Sequence, residues 1–258
     1  MSTSPHPPRI LMLHGIFFRL CISTYTETFS GSTQSGSLFN IKTTHLEKAL
    51  KKAIPGVRLL YPTAPFEEPA SSNKWTWWHA ESLGSEYSGL PKTFNNIVSV
   101  LDHEGPVDGI IGFSQGAAAG AMVAALLDHG RNDATSKILD SDIISELKHP
   151  PLKFLVCYSG FKASWPMYRP FYEPCIGTPS LHVIGSLDTV VEEGMSRDLA
   201  DCFQHGNVYL HPGGHIVPIS KREVDAVVHF VAGACSGALE SREAIEDDED
   251  VLNMDLPF

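Results

Sequence analysis

Ser114 stands in Gly112-Phe113-Ser114-Gln115-Gly116, with a glycine two residues away on either side. A serine hydroxyl is a weak nucleophile until a base takes its proton, so covalent chemistry at serine needs a histidine. The histidine in turn needs a carboxylate to hold its tautomer. Both occur downstream: Asp188 in Gly185-Ser186-Leu187-Asp188, and His215 in His211-Pro212-Gly213-Gly214-His215. Together the three types would let a hydroxyl attack an acyl carbon.

The flanking sequence supplies elements that could position them. Val107 to Ile111 is short and β-branched, as a buried strand should be, and Ala117 to Leu127 is a run of helix formers. Strand, tight turn and helix around Gly-x-Ser-x-Gly form a nucleophile elbow, in which the serine is strained and its hydroxyl stands clear of the sheet. At the helix N-terminus the Gln115 N–H is free to receive a developing oxyanion. Leu181 to Gly185 reads as a strand with Asp188 just past its C-terminal end, the edge where ligands gather in open α/β sheets. A short strand, Asn207 to Leu210, precedes the loop His211 to Pro218. The order Ser, Asp, His is that of α/β-hydrolases and differs from the chymotrypsin and subtilisin orders.

Rival residues have their own readings. Among the 12 histidines, His211 shares the loop of His215 and remains its alternative, but it precedes a stiffening proline, whereas His215 follows two glycines that let the loop turn inward. His14, after the strand Arg9 to Leu13, braces loops near the site, and His182 alternates within a strand as a core or surface residue. Glu192, Glu193 and Asp198 compete with Asp188 but fall in a helical stretch, Val191 to Phe203, as solvated charges.

Composition bounds the rest. The chain has 258 residues, 43% hydrophobic and 19% charged, enough to bury a substantial core in one α/β domain. No apolar run approaches the ~20 residues of a membrane span, and Met1 to Pro8 lacks a signal peptide's apolar core, so a cytoplasmic location, with the nucleus as an addition, is expected. Five scattered cysteines fit reduced thiols better than zinc or disulfides. A net charge of −11 disfavours nucleic acid as a partner. Further elements are a helix from Asn40 to Ala53, a strand from Val57 to Tyr61, a helix from Phe94 to His103, a strand from Phe154 to Tyr158 and a helix from Lys221 to Val231. Alternating strands and helices imply a mostly parallel sheet covered on both faces. The expected organisation is a flexible start (1–8), one domain (9–233) and an acidic tail (234–258), whose Glu246 to Asp250 is too charged to pack.

Leu13-His14-Gly15, Gln34-Ser35-Gly36, Tyr61-Pro62-Thr63-Ala64-Pro65, the Ser114 pentapeptide, Gly185-Ser186-Leu187-Asp188 and Gly213-Gly214-His215 occur in the order found in the FSH family of serine hydrolases. That family includes ovarian-cancer-associated-gene-2 type esterases and fungal thioesterases, and the chain resembles it from Pro8 to Val231. The resemblance implies an α/β-hydrolase fold, no cofactor or metal, and hydrolysis of small acyl esters or thioesters. It assigns Ser114 as nucleophile, Asp188 as acid and His215 as base. The chain departs from the family pattern at Ile16 to Gly31, an insertion just where a second oxyanion N–H should arise. Ile16 supplies that donor if the insert is tolerated, and Ser32 if the chain loops out and returns. The insert reads either as a substrate lid or as an unspliced stretch.

Substrate signals are sparser. Trp75, Trp77 and Trp78 alternate around Thr76 as an edge strand would; they either wall an acyl site or pack their long loop onto the domain. Phe161, Trp165, Met167 and Tyr168 pose the same choice. No arginine or lysine cluster forms a clamp, which favours neutral acyl groups. Besides the esterase or thioesterase reading stand a peptidase on the same triad and a silenced hydrolase-fold binding protein.

Overall fold

Ile10 and Met12 of β1 (Arg9–Leu13) join one buried cluster and Leu11 and Leu13 join another, on opposite faces of the strand. A strand buried on both faces needs helices on both. The computed structural model, which describes residues 6–15, 35–68, 74–81, 85–128, 138–139 and 148–237, supplies them. Six strands lie in the order β2-β1-β5-β6-β7-β8, every neighbouring pair parallel. Here β2 is Arg58–Leu60, β5 Gly109–Phe113, β6 Phe154–Tyr158, β7 Ser180–Gly185 and β8 Gly206–His211.

Helices α3 (Leu90–Glu104) and α4 (Gln115–Leu127) share a cluster with Leu11, Ile110 and Leu155, joined by Leu199 of α5 (Glu193–Ala200). On the other face α1 (Gly36–Lys42), α2 (Thr44–Ala53) and α6 (Lys221–Ser236) cover Ile10, Met12, Ile111 and Val156. Every residue of α4 is buried, which is why it reads as apolar all round. Among the described residues no helix is long and apolar enough to cross a membrane.

Several boundaries differ from the sequence reading. The expected helix from Asn40 to Ala53 is two helices, parted at Thr43. The Thr43 hydroxyl donates to Phe39 O at 2.8 Å and the Thr44 hydroxyl to Ile41 O at 2.7 Å, a competition with the helical ladder that threonine side chains offer. The first of the two starts earlier because Ser35 caps it, accepting from Leu38 N–H. Likewise α3 begins four residues before Phe94, after Gly89 in the left-handed region (φ 89°) and with Pro91 in its first turn. The last helix continues through Ser236, past the expected domain limit of residue 233, and the rest of the acidic tail, 238–258, lies outside the described residues. Trp75 and Thr76 do form a strand, β4, but it pairs antiparallel with β3 (Phe66–Glu67) apart from the main sheet.

Candidate active site

Space sets the shape of the elbow. A Cβ added at Gly112 would lie 2.5 Å from Gly116 O, and one at Gly116 would lie 2.3 Å from Leu13 O, so neither position admits a side chain without moving backbone. Between them Ser114 takes φ 53°, ψ −118°, a conformation L-residues seldom adopt. The surroundings hold it there: its N–H donates to Tyr158 O at 2.8 Å, and its carbonyl accepts from Ala117 and Ala118 N–H, both at 3.0 Å.

Three strand ends then converge, at the C-terminal edge of the sheet. His215 Nε2 lies 3.0 Å from Ser114 Oγ, and His215 Nδ1 lies 2.8 Å from Asp188 Oδ2. The Asp188 side chain is fully buried and that of His215 is 12% exposed. The other Asp188 oxygen accepts from Val190 and Val191 N–H, both at 2.9 Å. Burial alone would raise the Asp188 pKa; the bond to His215, its charge and the two backbone N–H groups outweigh burial and hold it below the ordinary carboxylate value. A carboxylate so held favours the Nδ1–H tautomer of His215, leaving Nε2 to accept from the Ser114 hydroxyl. The ring also packs on Phe113, centroids 4.8 Å apart.

The two loops that carry Asp188 and His215 are stitched together. Ser186 N–H donates to His211 O at 2.9 Å and Leu187 N–H to Gly213 O at 3.0 Å. His211 is therefore part of the loop's frame and is not at Ser114. Glu192, Glu193 and Asp198 stay outside the Ser114–His215–Asp188 line; Glu193 pairs with Arg197 at 2.8 Å. His182 is buried in β7, with Nε2 3.0 Å from Ser180 Oγ, and burial holds its pKa down to about 4.

On the opposite side of Ser114, His14 and Gln115 are braces. His14 Nε2 accepts from Ala64 N–H at 3.0 Å, so Nδ1 carries the proton and donates to Gly15 O at 2.9 Å. The Gln115 side chain accepts from Trp77 N–H at 2.8 Å and donates to Trp78 O at 2.9 Å. Sequence reasoning used only the Gln115 backbone. The missed signal was an amide at the head of an apolar helix, which must find partners once buried.

These bonds correct the aromatic-wall expectation. Trp77 and Trp78 are 0% and 1% exposed, Trp77 with its indole N–H on His14 O, so both pack the loop onto the core. Trp75, partly exposed, lines a cavity of about 580 Å³ whose wall is half polar, with Ser35, Ser37, Thr63 and Asn96 beside Leu38, Ala64 and Pro65. Ser114 does not line that cavity. Phe161 and Tyr168 are likewise core, whereas Trp165 and Met167 are exposed. Ile16, Ser32 and the whole insert 16–31 lie outside the described residues.

A doubly covered parallel sheet with a serine elbow after one strand, and an acid and a histidine after two later ones, defines the α/β-hydrolase class. Maize acyl-protein thioesterase 2 has the same fold, with a TM-score of 0.56 at 18% identity over 91% of this chain and 96% of its own. The family model for serine hydrolase (FSH1) matches residues 27–227. The chain belongs to that family and is a serine hydrolase. Among its relatives is zebrafish (Danio rerio) esterase OVCA2, 32% identical over 243 residues, spanning 83% of this chain and 92% of the relative. A Schizosaccharomyces pombe protein named dihydrofolate reductase is 34% identical over 208 residues; the match covers 73% of this chain and 42% of that protein's length.

Proposed function

We propose that the enzyme cleaves carboxylic esters or thioesters of small acyl substrates through an acyl-Ser114 intermediate. One observation carries the reading: the unbroken line Ser114 Oγ, His215 Nε2, His215 Nδ1, Asp188 Oδ2, with spacings of 3.0 and 2.8 Å. His215 takes the Ser114 proton as Oγ attacks the acyl carbon. The carbonyl oxygen becomes an oxyanion near the Gln115 N–H at the start of α4, where helical N–H groups have no intrahelical partner. His215 then gives its proton to the departing alkoxide or thiolate. Water enters, loses a proton to His215, and attacks the acyl carbon, so the acid leaves and Ser114 regains its proton. Asp188 stays ionised throughout and holds the imidazolium.

Support for an ester comes from the name of the zebrafish relative. The free thiols Cys157 and Cys202, both buried, agree with a cytoplasmic or nuclear setting. A silent binding protein would have no reason to keep Asp188 buried and ionised against a histidine that reaches the serine. The test is a series of p-nitrophenyl esters and acyl-CoA thioesters, run on the wild-type enzyme and on Ser114→Ala. We expect turnover of the short neutral esters and a loss of order 10³ or more in the variant. Cleavage of peptides in preference to all of these, or full activity in Ser114→Ala, would overturn the proposal.

A further inference from the structure

At the base of the loop that carries His215, two buried polar atoms lack a partner among the described residues, and they are complementary. His211 ends β8 and Glu223 lies in the first turn of α6, so the loop of residues 212–220 runs between the two elements. His211 is 3% exposed and Glu223 9%. The Gly213 N–H donates to His211 Nδ1 at 3.2 Å. A ring nitrogen that accepts is unprotonated, so the neutral imidazole carries its proton on Nε2. That Nε2–H has no partner among the described residues, and neither has Glu223 Oε2.

One atom is a donor and the other an acceptor, and the two groups are within electrostatic reach. Burial lowers the pKa of His211 below the ordinary imidazole value, against the opposing pull of Glu223 from α6 and Asp188 from the loop after β7. The sequence around Glu223 sharpens the point. Ser220-Lys221-Arg222-Glu223 fits a capping box, in which the glutamate would reach back to its own helix terminus. Ser220 makes no side-chain cap bond, and Glu223 leaves one oxygen buried and unbonded. Buried donors and acceptors in native proteins are joined to each other or to ordered water.

We propose that His211 and Glu223 close the base of this loop as a pair, His211 Nε2–H to Glu223 Oε2 through one buried water, and that the pair positions His215. The inference rests on the reading of Ser114, Asp188 and His215 as a catalytic set. Glu223 fixes the proton on Nε2; that leaves the Nδ1 lone pair for Gly213 N–H, two residues before His215. Gly213 O and His211 O receive the N–H groups of Leu187 and Ser186, so the same link registers the loop that holds Asp188. His211 is thus a positioning residue, acting on the reaction through the backbone of two loops.

The test compares the wild-type enzyme, His211→Asn, Glu223→Gln and the double variant on p-nitrophenyl acetate. Asparagine can still accept near Gly213 but offers no donor at the Nε2 position, and glutamine keeps the shape of Glu223 without its charge. Each single variant should lose kcat roughly tenfold with KM little changed, and the double should be no worse than the poorer single, since both cut one link. Wild-type kcat in both singles, losses that multiply, or losses that vanish once activity is scaled to the folded fraction would overturn the pair. Nitrogen-15 NMR of the wild-type imidazoles covers the case in which a variant fails to fold: a protected Nε2–H on His211 is expected, and a proton on Nδ1 refutes the proposal. Ser114→Ala separates the two readings, because activity surviving there would sink the catalytic set while the tautomer measurement would still decide the pair.

Discussion

The chain holds the two sides of Ser114 in different ways. Toward β7 and β8, polar side chains are spent on one another: Asp188 on His215, His215 on Ser114, with serine and histidine 101 positions apart in the sequence. Toward α3, aromatic rings are spent on the core. Trp78 stacks on Tyr87 and Tyr87 on Tyr168, at centroid distances of 4.7 and 4.9 Å, and the Tyr87 N–H donates to the Tyr168 hydroxyl. Gln115 joins the sides, since its backbone belongs to the elbow and its amide clasps the tryptophan loop. On the proposed mechanism the contrast assigns chemistry to the polar groups beside the serine and stability to the equally conspicuous aromatic cluster.

Substitutions should separate these roles. The largest effect is expected at Asp188→Asn, which keeps the shape but frees the His215 tautomer: kcat should fall by about 10⁴ while the thermal midpoint moves little. Stopped ester assays and a melting curve on one preparation would check both halves. Trp78→Ala should do the reverse, costing about 3–5 kcal/mol of stability through a cavity in the stack, with kcat per folded molecule nearly unchanged. Trp78→Phe should cost less, under about 1.5 kcal/mol, because it keeps most of the ring and removes an indole N–H that is buried without a partner among the described residues. A variant of Trp78 that folds normally but loses turnover would erase the distinction between the two sides.

Acid should loosen the polar side first. His182 in β7 is held down to about 4 by burial, against about 6.5 in an unfolded chain. Above about 6.5 neither state binds the proton and its contribution to stability is complete. As pH falls from about 6.5 to about 4 the unfolded chain takes up a proton that the folded chain refuses, and stability drops by on the order of 3 kcal/mol. Urea midpoints across that range should fall in the wild-type protein and fall less steeply in His182→Gln. Equal slopes would remove His182 from the account.

What could be read in the sequence was what short-range sterics and strand ends dictate. Gly112 and Gly116 announce an elbow because no side chain fits there, and the loops after two later strands announce where an acid and a base can reach it. The break at Thr43 was less legible, since two adjacent threonines must compete with the helical ladder for it to appear. For Trp77 and Trp78 the sequence offered packing and a substrate wall alike, and the choice between them was not legible. It depends on Gln115 and on the Thr93 hydroxyl bonded to Trp77 O, partners far along the chain whose approach only the folded protein reveals.

The central claim is that Ser114 becomes acylated, and intact-protein mass spectrometry tests it most directly. The enzyme would be mixed with an ester of a bulky acid that deacylates slowly, quenched in acid, and digested for peptide mapping. The account requires a mass gain of one acyl group on the peptide containing Ser114, formed as fast as the first burst of p-nitrophenol and missing from Ser114→Ala. A burst with Ser114 unmodified, or with the acyl group on another residue, would contradict it.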